Sequence, residues 1–565
     1  MDTLTRRASS TDKEKDEDSA GRVVGTYPAS IVTAADARFR STSAEHRRFE
    51  SFHVNLMAIG GTIGTALFVY MGSGLTSGGP ANLLLAFVWW VSVVWAVAEG
   101  QKELVTFWPT DACFARSSSR YLDDAVGFAV GWNFWILEIA LSIFEVTACG
   151  VVLSYWKSAA EINISIIITV IIATYGVLNC WDARYFAHAE FTLALGKILL
   201  IIGLLIMTFL TMLGVNPLHD RFGFRFWRDP GPFTGPFPSH PDNTNLFEGF
   251  LSCVIVACFT VAGPEYLSLV CGEARNPRKT MPRAFNATIY RLVIFFIGSA
   301  LAIGILVPFN DPNLLGAQAS DAAGAGKSPY VVAMNRLQIP LLPDIVNAGI
   351  FTSVLSAGNA YFFSASRSLA QLSADGHAPA FLRKRNRNGV PYISVLVCLA
   401  LLVLSYCQVS STSSAFISYL SNIASSGQLV NWIVFSVVWI RWNAALKAQG
   451  ISRDSLPCRS RFQPFAAHYA LVCSVFVTLM QGYQVFLKSN WDTASFVFAY
   501  GMPIIFIILS TLWKLLKRTK LETAQSADVT SYIDDPEFTE YIDYAAMDKR
   551  GRVGTLVYKV LAALF

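Results

Sequence analysis

Glu138, Glu145, Lys197 and Glu265 are ionisable side chains set in stretches of chain that are otherwise apolar. A charge at the centre of a bilayer costs roughly 2.5 to 3.5 kcal/mol even on a lenient scale, so such groups are expected to be neutral, paired or functional. A shielded carboxyl or ammonium group can take up, hold and release a proton. Two backbone signals accompany them. Residues 60 to 65 read GGTIGT inside the apolar stretch His53 to Leu75. Three glycines so close together point to unwound backbone lining a buried cavity, because a lipid-facing helix keeps its backbone hydrogen bonds internal. Close helix packing of the small-residue type is the competing explanation. Residues 259 to 265 read FTVAGPE. Proline removes an amide donor and crowds the preceding turn, so a helix breaks at Gly263 and Pro264. Glu265 follows at once, placed either to relay protons or to cap the inner half-helix.

The elements that must position these groups are membrane spans. The 565 residues are 53% hydrophobic and 15% charged, with 40 Phe and 14 Trp, more apolar surface than one soluble core can hide. Apolar runs of about 20 residues fall near 54–75, 82–107, 126–156, 162–180, 190–214 and 246–271, then 288–309, 342–372, 391–410, 414–440, 466–487 and 495–517. Twelve spans place both termini on one side of the membrane. With that side inside, the inner loops hold about 17 Lys and Arg and the outer loops about 7, the bias retained by the cytoplasm. Residues 1–50 form a polar tail expected to be disordered, 51–517 the membrane domain and 518–565 a cytoplasmic tail. The second tail ends in apolar residues at helical spacing, Val553 to Leu564, suited to a short docked helix. Glu103, near the inner end of its span, is expected to meet inner-loop arginines.

Several chemistries find no support in the sequence. Gly326-Lys327-Ser328 resembles the end of a phosphate-binding loop, but Asp321 replaces the required glycine. The seven histidines are dispersed, neither HExxH nor GxSxG occurs, and no pair has metal-ligand spacing. The ten cysteines are scattered without a CxxC pair and read as packing residues. Neither an enzyme nor a cofactor, metal or nucleic-acid partner is expected.

Two broken helices five spans apart are the pattern of an inverted repeat of five plus five, with a ligand held between the repeats. On this basis the chain resembles the amino acid, polyamine and organocation transporter superfamily, and within it the fungal-type amino acid permeases. The resemblance runs from about His53 to Lys517 and rests on GGTIGTALF, SGGPANLL, SRYLDDAVGFAVGWNFW, AEFTLALGKI, FTVAGPE, GEARNPRKTMPRAF, SVLSAGNAYFFSASRSL and DGHAPAF.

The resemblance implies an all-α membrane protein of twelve helices with the leucine-transporter-like 5+5 inverted repeat, broken helices 1 and 6 and two extra helices. It implies proton-driven import of amino acids at the plasma membrane, with both termini cytoplasmic. A zwitterionic substrate needs donors for its carboxylate and acceptors for its ammonium. The first are expected from Thr62, Ile63, Gly64 and Thr65, whose amides open a half-helix; the second from carbonyls of Phe259, Thr260 and Ala262 beside Gly263. The family places a lysine at Lys197 near broken helix 1 and a glutamate at Glu145, making Lys197, Glu265 and Glu145 the proton-coupling candidates. A lysine that bonds only backbone carbonyls is the structural alternative for Lys197. Glu138 has no family counterpart, and Ser353, Ser356 and Asn359 are candidate cavity-lining residues. The chain departs from the family at Ala66, where glycine is commoner, and at Pro264, which replaces a threonine, so inherited substrate specificity does not follow. Lys13 and Lys15 are candidate sites for ubiquitination and trafficking machinery at the tail. A receptor on a transporter scaffold, or an exchanger, remains open at this stage.

Overall fold

The structure, a computed structural model, describes residues 63–110, 113–156, 161–180, 183–237, 243–269, 271–274, 276–319, 328–409, 413–487 and 490–530. Gly60, Gly61, Thr62, Lys13, Lys15 and the apolar C-terminal stretch lie outside the described residues. Among those residues the chain forms helices and turns, with no strand. Among the described residues each expected apolar stretch holds a helix, but by length and composition seven helices there are long and apolar enough to cross a membrane, with three shorter apolar helices beside them. The difference from the expected twelve has local causes. Two expected spans run together through a kink at Gly79 within α1, Met71–Phe107. Another, α12 (Leu342–Ala374), is studded with buried serines and asparagines.

The remaining elements, in chain order, are α2 (Cys113–Tyr121), α3 (Asp124–Leu153), α4 (Ile164–Cys180), α5 (Ala183–Met212), α6 (Asn243–Thr260) and α7 (Pro264–Leu269). After these come α8 (Pro277–Arg291), α9 (Gly298–Leu306), α10 (Pro312–Ala319) and α11 (Pro329–Arg336), then α12. The chain continues with α13 (Tyr392–Leu402), α14 (Ser413–Ala448), α15 (Phe465–Met480) and α16 (Thr493–Lys517). Leu199, Ile206 and Phe209 of α5 and Ile507, Ile508, Leu515 and Leu516 of α16 are exposed, the surface a lipid solvent would cover. At the centre, α3 packs along α12 and α14, and α1 packs along α6. These inner helices tolerate hydroxyls because Ser142, Thr147 and Thr260 each donate back to the carbonyl four residues earlier.

Gly79 has φ +79° because the chain reverses there against the loop before α6. Thr234 N donates to Gly78 O at 3.1 Å and Ala81 N to Pro232 O at 2.9 Å. A Cβ on Gly79 would lie 2.9 Å from Pro232 O, so glycine is required. The long loop after α5 thus clamps this corner. At the other end of the molecule, the chain beyond α16 turns back as a strap. Thr519 donates to Asp123 at 2.5 Å, Glu522 N to Leu122 O at 2.8 Å, and Gln449, just beyond the end of α14, to Ala527 O at 2.6 Å, with Val529 wholly buried. Arg120 of α2 and Asp528 close it with an ion pair.

Candidate functional site

Two segments of irregular backbone, one before α1 and one between α6 and α7, lie beside α3. Described structure begins at Ile63 and Gly64 in bent, non-helical backbone, and a π-helical turn, Ala66–Tyr70, follows Thr65 and leads into α1. Whether helix precedes Ile63 falls outside the described residues. The second interruption is complete: α6 ends at Thr260, Gly263 adopts φ +153°, and α7 restarts at Pro264. Pro264 is suited to the first position of α7, yet it offers no amide to the carbonyl of Thr260 four residues back. Gly263 N turns instead to Glu265 Oε1 at 3.1 Å, so Glu265 caps the restarted helix. Its two oxygens also accept from Gln428 Nε2 at 2.7 Å and Trp432 Nε1 at 3.3 Å on α14.

Thr65 departs from the expectation of free amides. Its backbone N donates to Glu145 Oε1 at 3.2 Å and its hydroxyl to Glu145 Oε2 at 2.5 Å, so Glu145 already occupies the start of this helix. Gly64 makes that approach feasible, since a Cβ there would fall on the Glu145 carboxylate and within 2.9 Å of Ala357 Cβ. Ile63 is anchored by Ser353, whose hydroxyl donates to its carbonyl at 3.2 Å.

Lys197 is fully buried in α5, 3.8 Å from Glu190 on the same helix. Glu190 in turn accepts from Ser356 at 3.0 and 2.9 Å. The sequence reading passed over Glu190, although a spacing of seven sets Glu190 and Lys197 on one helical face. Ser353 and Ser356 are thus tied to Ile63 and Glu190, and Asn359 accepts from Asn179 at 2.8 Å, so these three bridge helices. Glu103 meets its expected arginine, Arg453, at 2.5 Å, and also accepts from Trp439 and Ser460 N. Lys102 pairs with Glu99 at 2.8 Å.

Between these two segments lies a cavity of about 20 Å³ lined by Ala66, Glu145, Phe259, Thr260, Ala262, Tyr361 and Gln428, among others. Such a volume holds roughly one water-sized group. Phe259 stands over it in edge contact with Tyr70 at 4.9 Å and Phe144 at 5.0 Å. Of the residues expected to form the site, Gly64, Thr65, Phe259, Thr260, Ala262, Gly263, Glu145 and Glu265 therefore gather around one point. Lys197 is paired with Glu190, which accepts from Ser356, and Thr62 lies outside the described residues. Among the described residues no group of His, Cys, Asp and Glu has the arrangement of a metal site.

Buried carboxylates at a break between apolar helices, beside a small enclosed cavity, define a multi-pass membrane protein with an interior site. Residues 53–525 match the model of the amino acid permease family. The General amino acid permease AGP2 of Saccharomyces cerevisiae is 40% identical over 478 residues, covering 84% of this chain and 80% of that protein. The Dicarboxylic amino acid permease of the same yeast is 34% identical, covering 85% of this chain and 78% of its own, and the Proline-specific permease of Emericella nidulans is 36% identical, covering 84% and 86%. The chain belongs to the amino acid permease family, a family of transporters, and amino acid transport is its supported activity.

Proposed function

We propose that this chain imports amino acids by proton symport with alternating access, on a twelve-helix, 5+5 inverted-repeat scaffold whose termini are cytoplasmic, at the plasma membrane. The observation that carries the reading is the double hydrogen bond from Thr65 to Glu145 at the mouth of the cavity. An amino acid carboxylate seeking the amides of Ile63, Gly64 and Thr65 arrives at a place another carboxylate already holds. Two like charges at one amide repel, whereas a protonated Glu145 yields its place without leaving a buried charge behind. Carboxylate binding and proton uptake are thereby linked at a single position. The substrate ammonium then meets the carbonyls left by the broken helix at Phe259, Thr260 and Ala262, and Phe259 with Tyr70 and Phe144 closes the cavity above it. Lys197 and Glu190 supply a second buried pair able to exchange a proton with Glu145, and Glu265 keeps the restarted α7 in register with α14.

The test is uptake of radiolabelled amino acids by the full chain at two external pH values, with and without an uncoupler. Import that rises at acid pH and collapses with the uncoupler is expected. No uptake of any amino acid refutes the proposal. Lys197→Ala is expected to abolish accumulation against a gradient while leaving exchange of internal for external substrate. Intact uphill accumulation in that variant would assign coupling elsewhere.

A further inference from the structure

The loop between α12 and α13 carries Arg383, Lys384, Arg385 and Arg387, all of them exposed. Among the described residues none of these four cations makes an ion pair or a side-chain hydrogen bond. Acids near the loop are already engaged: Asp123 by Lys514, Asp124 by His377 and Trp513, and Asp375 by Arg116. The backbone that carries the cations is nevertheless braced. Leu382 is buried as an anchor, with its carbonyl accepting from Ser394 at 2.8 Å, and Ser373 donates to Pro379 O at 2.7 Å. Asn386 closes the turn. Its Oδ1 accepts from Asn388 N at 3.0 Å and Val390 N at 2.9 Å, while its Nδ2 donates to Cys180 O, at the end of α4, at 3.1 Å. A loop that only biases the direction of insertion needs charge and no such bracing.

The bond from Asn386 to Cys180 also fixes the height of the loop. Val170 and Val177 of α4 are 59% and 67% exposed and Leu396 of α13 is 53% exposed, the surface that hydrocarbon would cover. Val177 lies three residues before Cys180, about 5 Å along the helix, so the loop stands where the lipid-facing surface ends. Phe381 and Tyr392 flank the cations and are exposed too, at the level aromatic side chains favour in a bilayer. We propose that Arg383, Lys384, Arg385 and Arg387 form a docking surface for the headgroups of anionic phospholipids in the cytoplasmic leaflet. The choice of leaflet follows from the orientation proposed above; the binding itself does not depend on amino acid import. Four cations without an acid partner, held at headgroup height, meet a leaflet whose surface is negative, and each adds to the attraction. Three are arginines, whose planar fork matches phosphate oxygens. A zwitterionic headgroup offers them no net charge.

The test is thermal unfolding of the full chain, purified in an uncharged detergent, with dioctanoyl phosphatidylserine, dioctanoyl phosphatidylcholine or inorganic phosphate added. Phosphatidylserine is expected to raise Tm and the other two to leave it unchanged. An equal rise with phosphatidylcholine, a rise with phosphate alone, or no rise with phosphatidylserine overturns the proposal. The variant Arg383→Gln, Lys384→Gln, Arg385→Gln and Arg387→Gln, changed together, alters only exposed side chains. It is expected to keep the lipid-free Tm and to weaken phosphatidylserine binding at least about tenfold; undiminished binding places the lipid elsewhere and overturns the proposal. Salt supplies a readout on the wild-type chain alone: at about 1 M the phosphatidylserine shift is expected to vanish, and a shift that persists refutes recognition by charge. A chain ending at Thr530 tests the competing occupant, the acidic tail with Asp534, Asp535 and Glu537. Lipid binding that appears only after this truncation assigns the cations to the tail and overturns the proposal.

Discussion

Thr65 and Glu145 meet across 80 residues of sequence, and their geometry makes Gly64 as important as either. A hydrogen bond to a charged group contributes about 1.5–3 kcal/mol, or roughly 10- to 150-fold in an equilibrium. Thr65→Val removes the hydroxyl donor at nearly constant volume and is expected to lower kcat/KM for uptake at least about tenfold, while Thr65→Ser keeps most of it. Gly64→Ala acts by a different route, pushing the Glu145 carboxyl from its place, and is expected to be at least as damaging. Uptake kinetics at matched membrane abundance check both. Normal transport by Gly64→Ala would show that Glu145 does not need to approach this turn. Cys258, which lines the cavity, is buried and free, so it offers a thiol reporter at the same place.

At the scale of elements, the strap from Thr519 to Thr530 ties the end of α16 to α2, α3 and α14. Asp123, at the start of α3, is its hinge. Burial alone would raise the Asp123 pKa, but hydrogen bonds from Lys514, Thr519 and Ala125 N outweigh it and hold the carboxyl below its ordinary value. A carboxyl depressed in the folded state contributes stability above its unfolded pKa of about 3.9 and loses it as pH falls through the lower folded value. The strap is therefore expected to be docked at neutral pH and to loosen only below about pH 4. Limited proteolysis of the purified protein checks this: cleavage within 519–530 should be slow at pH 7 and rise steeply on acidification or in Asp123→Asn. Rapid cleavage of the wild type at neutral pH would contradict a docked strap. Gln449→Ala, which removes the donor to Ala524 and Ala527 carbonyls, should have a smaller effect in the same direction.

For the whole molecule, alternating access requires that the cavity open to each side in turn, since about 20 Å³ admits no amino acid as it stands. Tyr70, Phe144 and Phe259 pack edge to edge beside the cavity and are the barrier such a motion is expected to open toward the outer side. Phe259→Ala is expected to raise labelling of Cys258 by a membrane-impermeant thiol reagent several-fold from the outer face, with substrate suppressing it. Unchanged labelling would place the barrier elsewhere. The lipid-facing surfaces of α5 and α16 need not change in such a motion, whereas the buried polar seams of α3, α12 and α14 must slide or hinge against α1 and α6. Small residues and back-bonded hydroxyls along those seams keep the helices intact while their mutual contacts alter.

Helix positions, the break at Gly263 and Pro264 and the burial of Glu145, Lys197 and Glu265 were all legible in the sequence, because each depends on local composition. An apolar run long enough for a bilayer must be helical, and a glycine next to a proline must interrupt it. Tertiary structure decided which polar groups meet. Glu145 holds the amide thought free at Thr65, Glu190 stands between Lys197 and Ser356, and Glu265 caps α7. Such pairings join residues 80 to 170 positions apart, or depend on which helix faces which. The reason is physical: hydropathy records whether a side chain can enter a bilayer, whereas hydrogen bonding and charge depend on partners that only packing brings within 3 Å.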